Sequence, residues 1–300
     1  MIEHLRHADV DKHWWDSLLL RCEVPMWYAQ SWVLDIASPG WEAMVDRASG
    51  AIMPLTWRRR MGIHYLYQPF GLQQLGVFAP HYSDQLGEAM LRAIPARFRY
   101  WDIYLNERMG PMEFGDPMPC TQQYVDVLGD PAGQQAAYSQ GHRRNLRKGE
   151  VHRELLTWAI SAADFTELFR RTTGARYAVP AADIAMMGHL VSAALERGEA
   201  RILGTRVGGR VVAAACFVEW QGRSIFLKSA VDESGQEHQA MFLIMDHYLT
   251  NGAGRSTVLD LAGSNTPSVA RFNAGFGARS TVYLRLKRNE LPLPLRWIKK

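Results

Sequence analysis

The stretch Leu259-Asp260-Leu261-Ala262-Gly263-Ser264-Asn265, running on through Thr266 to Ala278, constrains the fold more tightly than any other part of this chain. Its short apolar run predicts a buried strand. Gly263 and the polar Ser264-Asn265 then release the chain, Asn265 is placed to cap a helix, and Pro267 opens that helix with a φ suited to the first turn. Phe272 and Phe276 lie four apart and so share one helix face. Gly277 supplies the stop, and residues 280–286 predict another strand. A chain that must place strand, polar turn, helix, glycine stop and strand in so short a span belongs to the α/β class.

Ahead of that stretch, helical and strand patterns alternate twice. Residues 9 to about 37 predict helices, with Asp9 as a cap, Trp14, Leu18 and Leu19 on one face, and Trp32, Leu34 and Ile36 in a second segment. Residues 41–47, 51–60 and 63–68 predict strands parted by Ser49-Gly50 and Met61-Gly62. A helix over 84–94 and a strand over 98–105 follow, then a turn-rich passage from Gly110 to Pro119 and a strand around 124–128. The boundary is placed at Gly129-Asp130-Pro131, giving domains 1–130 and 131–300. The second half repeats the order: helices over 161–171 and 181–196, strands over 200–206, 211–220 and 224–231, a helix over 237–250, and a strand over 257–261. Two copies of one α/β unit, each a mixed sheet with flanking helices, account for this.

Composition removes several classes. With 47% apolar residues the chain can build packed cores, and 34 Lys+Arg against 30 Asp+Glu give a formal +4, too diffuse for an obligate nucleic-acid binder. Cys22, Cys120 and Cys216 are far apart and without C-x-x-C spacing, which argues against a disulfide framework or zinc knuckle and fits a reducing cytosol. His4 and His7 have no further ligands near them in sequence, so no metal is expected. No apolar run approaches the roughly eighteen residues of a spanning helix, and a cytoplasmic location is expected. Neither a G-x-S-x-G elbow nor a G-x-x-x-x-G-K-[ST] loop occurs, and Gly275-Phe276-Gly277 follows a helix, the wrong context for a dinucleotide fingerprint.

The terminal strand-turn-helix-strand order resembles the last third of the GNAT N-acyltransferase fold. The paired α/β order is similar to that of the Fem-type aminoacyltransferases, tandem GNAT-like proteins that extend peptidoglycan precursors from aminoacyl-tRNA. Two more segments carry this likeness: Gly141-His142-Arg143-Arg144-Asn145-Leu146-Arg147-Lys148-Gly149-Glu150 is similar to the basic helix opening that family's second domain. Asp260 to Gly263 with Arg271-Phe272-Asn273 resembles its strand-glycine turn and Phe-Lys pair, Asn273 standing at the lysine place. The resemblance implies two tandem GNAT-like domains, a strand splayed from its neighbour to admit an acyl carrier, and a helix start whose N–H groups meet a pyrophosphate. The matching stretch is Gly235-Gln236-Glu237-His238-Gln239-Ala240. Against the superfamily's Q/R-x-x-G-x-G/A loop, Ala240 alone matches, and Phe272-Asn273 stands where relatives often carry a tyrosine acid.

On this resemblance acyl-CoA is the expected donor and an amine the acceptor, with Gln239, Ala240, Ser264 and Asn265 as carrier contacts. Glu237 and His238 are candidates for a general base and Asn273 for an amide donor to an oxyanion. Plainer explanations stand beside these: Glu237 suits a helix first turn, and Asn265 is a good cap. Tyr67, Gln68 and Gln73 put an aromatic and amides at the end of the first meander, a lining suited to a substrate. Arg143, Arg144 and Arg147, with Lys148, form a cationic stripe that can hold a phosphate; its plain alternative is a solvated face with salt bridges to Glu150 and Glu154. Two other functions stay open. In one, the donor is aminoacyl-tRNA, held by that stripe, and the acceptor a cell-wall precursor. In the other, catalysis is lost and the fold is a binding module, its wedge filled by side chains beside Gln239 and Asn265.

Overall fold

The computed structural model describes residues 1–252, 254, 256–293 and 296. The chain forms two compact units, Met1–Thr121 with the chain from Val282 onward, and Gln122–Thr281. The division therefore falls ahead of Gly129-Asp130-Pro131, and the last strand leaves the 131–300 segment for the first unit.

In the first unit β1 (Ile2–Leu5), β2 (Glu42–Asp46) and β3 (Ala51–Leu55) form an antiparallel sheet in that order. Between the first two lie α1 (Lys12–Leu19) and α2 (Ser31–Ala37). Asp11, not Asp9, caps α1, its Oδ1 accepting from Trp14 N at 3.0 Å, and Trp15, Leu18 and Leu19 are the buried face. The expected strand 51–60 is two strands in different sheets. At Thr56 the hydroxyl donates to the Tyr67 carbonyl at 2.5 Å, the Thr56 carbonyl accepts from Tyr67 N, and the chain turns into β4 (Trp57–Arg60). That strand pairs antiparallel with β5 (Ile63–Tyr67), and β5 pairs in parallel with β6 (Phe98–Tyr104). The parallel pair needs a crossover, which α3 (Asp84–Arg92) supplies. Leu55, Leu66, Met90, Leu91 and Trp101 share the core beneath.

β7 (Asp116–Asp126) starts in the first unit and ends in the second, so part of the supposed turn-rich passage is strand. The second unit continues with α4 (Pro131–Ala136), α5 (Gln140–Gly149), β8 (Leu156–Thr157), α6 (Ala162–Phe169) and α7 (Ala181–Glu196). The meander appears as expected in β9 (Ala200–Val207), β10 (Arg210–Trp220) and β11 (Arg223–Val231). The expected helix 237–250 is broken: α8 (Glu233–Glu237) stops at His238, Gln239 takes a left-handed φ of 55°, and α9 (Ala240–His247) starts again. After β12 (Val258–Asp260) comes α10 (Pro267–Ala274). The unit's strand order is β7-β12-β11-β10-β9-β8, with β12 parallel to β11 and antiparallel to β7. Phe217, Leu243, Ile244, Tyr248, Leu259 and Phe276 are buried together between α9, α10 and the sheet. β13 (Arg279–Asn289) then returns to the first unit and pairs antiparallel with β6, from Arg285 opposite Tyr104 to Asn289 opposite Tyr100.

Cys22, Cys120 and Cys216 are free thiols. Among the described residues no helix is long and apolar enough to cross a membrane, and no group of three or more His, Cys, Asp or Glu is placed to hold a metal ion.

Candidate functional site

The parallel pairing of β11 and β12 lasts only from Arg223 opposite Val258 to Ile225 opposite Asp260. Beyond that point β11 stays on β10 as far as Val231, while Leu261 N donates to the Gln123 carbonyl on β7 and Ala262 and Gly263 turn away with φ of 27° and 64°. Two neighbouring strands thus part, and a cleft of about 440 Å³ lies beside the gap. β11 contributes Phe226, Ser229 and Val231, the α8–α9 junction Gly235, Gln236 and Gln239 to Phe242, and α10 Ser268, Val269, Phe272 and Asn273. Arg176 and Tyr177, from the segment between α6 and α7, complete the lining.

Asn273 is the most informative side chain here. It is 1% exposed, its Nδ2 donates to Ser264 Oγ at 3.3 Å, and its Oδ1 is buried with no hydrogen-bond partner among the described residues. A buried amide oxygen left unpaired is costly, so its presence in a cleft wall points to a ligand group that completes it. Asn273 is therefore not a polar residue exposed on the last turn of α10.

The α10 helix is fixed by the two phenylalanines read from sequence. Phe272 and Phe276 enclose the His142 ring together with Phe242, at centroid distances of 5.5, 4.6 and 5.0 Å. His142 Nε2 donates to the Phe272 carbonyl at 2.8 Å and Nδ1 meets Ser139 Oγ at 3.1 Å, which ties α5 to α10. A Cβ on Gly275 would lie 1.9 Å from this ring, so only glycine fits there. Burial holds His142 below the ordinary imidazole range, and His247 is lowered by burial as well. Below about pH 6.5 the unfolded chain binds protons that the folded chain refuses, so stability is full above that pH and falls as pH drops through it. His142→Gln should flatten that fall. Urea unfolding at pH 7.5 and 5.5 checks this, and an unchanged pH difference would count against it.

The other sequence candidates divide. Gln239 and Ala240 line the cleft. Ser264 reaches it only as the partner of Asn273. Asn265 is exposed and is not the cap: Thr266 holds that position and Pro267 the first turn. Glu237 ends α8 rather than starting α9, and it is exposed and outside the cleft lining. His238 is also outside the lining, with Nδ1 donating to the Ser234 carbonyl at 2.6 Å and its ring 4.2 Å from that of His152. Gly235 owes its identity to packing, since a Cβ there would come 2.5 Å from the Val212 carbonyl oxygen. Arg143, Arg144, Arg147 and Lys148 are exposed on α5 and do not line the cleft; Glu150 pairs with Arg153 instead of with the stripe. Sequence reasoning missed Arg176 and Tyr177, which no local pattern marks.

The first unit has its own pocket of about 310 Å³, lined by Tyr65, Tyr67, Gln68, Tyr100 and Tyr104 around Asp102 and Arg285. Arg285 Nε and Nη2 reach the two Asp102 oxygens at 2.6 and 2.7 Å. Gln68 is engaged by the backbone at both ends of its amide, donating to the Leu72 carbonyl and accepting from Tyr104 N. Tyr67 donates to the Ala37 carbonyl at 3.3 Å, and Gln73 does not line the pocket.

Residues 133–267 match the family model described as the acetyltransferase (GNAT) domain, a span lying wholly within the second unit. The fold is that of tandem GNAT proteins, with two α/β units in one chain. The FemX crystal structure aligns with a TM-score of 0.68 at 11% identity over 99% of both chains. A conserved protein from Bacteroides thetaiotaomicron aligns at 0.63 and 9% identity, over 96% of this chain and 100% of that one. A tandem GNAT protein from the clavulanic acid biosynthesis pathway aligns at 0.54 and 13% identity, over 97% and 99%. At such identities the likeness is one of fold. No curated protein matches the sequence.

Proposed function

We propose that the chain is an N-acyltransferase whose donor, an acyl-CoA, lies in the second-unit cleft and whose acceptor is an amine. The carrying observation is the parting of β12 from β11 beside an open cleft with a buried, half-satisfied amide in its wall. The amine nitrogen attacks the thioester carbonyl, the C–N bond forms, the C–S bond breaks, and the thiolate leaves with the carrier while the nitrogen's proton passes to it or to water. Asn273 Nδ2 has two hydrogens and gives one to Ser264, so the second is free for the oxyanion. The N–H groups of Ala240 and Met241, at the start of α9, have no carbonyl within their own helix and face the carrier's phosphates.

Among the described residues no Asp, Glu or His lines the cleft, so catalysis rests on positioning and oxyanion stabilisation rather than on a local base. The open cleft beside Gln239 is also the opposite of what a filled, inactive wedge would show. Calorimetric titration with acetyl-CoA and longer acyl-CoAs tests the reading, and saturable binding is the expected result. Failure with every acyl-CoA would shift the donor to aminoacyl-tRNA. One observation favours that second reading: Arg144, Arg147 and Lys148 have no ion-pair partner among the described residues. It requires tRNA binding that weakens steeply with salt.

A further inference from the structure

Resting on the proposed donor cleft, we infer that Arg176 and Tyr177 form a clamp for the adenosine-phosphate end of the carrier, in place of the glycine-rich loop this chain lacks. Two of the loop's three defined positions are committed elsewhere. Gly235 is packed against the Val212 carbonyl, and His238 bends back to Ser234. Charge for a polyanion then has to come from a side chain beside the N–H groups of α9, and among the described residues Arg176 supplies the only charge in the lining. Its guanidinium is exposed and makes no ion pair, hydrogen bond or ring contact among the described residues. With no carboxylate among the described residues of the lining to neutralise it, the cleft selects an anion.

Beside it, Tyr177 is 57% exposed, an aromatic face at the cleft with room for a stacked base. The backbone holding both is rigidly tied. Tyr177 N donates to the Thr173 carbonyl at 3.1 Å, Val179 N to the Gly174 carbonyl at 2.9 Å, and Thr173 Oγ1 to the Ser229 carbonyl on β11 at 3.3 Å. Ala178 turns the chain with a φ of 48°. A free cation and a free ring on an anchored turn fit a phosphate next to a purine, chemistry that coenzyme A shares with the 3′ end of tRNA.

The test is calorimetry on the full chain with three probes: coenzyme A, pantetheine, which lacks the phosphates and base, and the trinucleotide CCA. Coenzyme A should bind more tightly than pantetheine. Arg176→Ala should weaken coenzyme A by about 10- to 100-fold, as loss of a charged hydrogen bond does, and leave pantetheine unchanged; Tyr177→Ala should act in the same direction. If only CCA binds and Arg176→Ala removes it, the clamp stands and the acyl-CoA reading falls. If coenzyme A binds equally well to Arg176→Ala, the clamp is wrong and the acyl-CoA reading survives. Equal losses for coenzyme A and pantetheine, or binding of neither coenzyme A nor CCA, overturn the clamp.

Discussion

Asn273→Ala should lower turnover by about 10²-fold or more while the protein stays folded, because on the proposed reading it removes the α10 amide that donates to the developing oxyanion. Folding should change little. The substitution frees Ser264 Oγ of its donor, yet it also deletes a buried Oδ1 that has no partner, and these effects oppose each other within about 1 kcal/mol. Steady-state kinetics beside a urea titration separates the two quantities. Unaltered turnover would dismiss Asn273 as the oxyanion donor, and a collapse in stability would make its role one of packing.

A second large effect is expected at Asp260, the last β12 residue paired with β11 before the strands part. It is 1% exposed; Oδ2 accepts from Arg223 Nη2 at 2.6 Å, and Oδ1 accepts from Gln122 Nε2 and from Ala262 N. Arg223, itself mostly buried, also donates to the Tyr124 hydroxyl at 2.7 Å. Asp260→Ala removes the carboxylate that this mostly buried guanidinium donates to, and breaking such a pair typically costs about 3–5 kcal/mol. Replacing both partners with apolar residues, Asp260→Leu with Arg223→Met, should recover much of the loss. The denaturation midpoint at unchanged slope is the readout, and a loss below about 1 kcal/mol for the single change would show that this pair does not hold the strand end.

What could be read from sequence was set by local chemistry. Periodic apolar runs marked the meander β9–β11 and the helix α7, because burying one face leaves a pattern along the chain. Phe272 and Phe276 were legible as a shared face, although the histidine they enclose comes from α5. Caps failed by small offsets: Asp9 and Asp11 look alike, as do Asn265 and Thr266, and which one caps depends on where the chain turns. The break before α9 was not legible, since glutamine rarely adopts the left-handed φ of Gln239 and close packing on Gly149 accompanies it there. Arg176 and Tyr177 escaped for a related reason. Only the fold carries the α6–α7 segment to a cleft built from β11, α9 and α10.

The return of β13 bears on how the polypeptide is made. Most of the first unit leaves the ribosome before any of the second, but β6 must wait for residues 285–289 to find its antiparallel neighbour, and Asp102 for Arg285. Pairings this distant in sequence form late, because closing the intervening loop costs entropy before any contact rewards it. The portion synthesised first is thus completed last. Until then β6 has one bare edge, open to pairing with another nascent chain, a hazard a chaperone would have to cover.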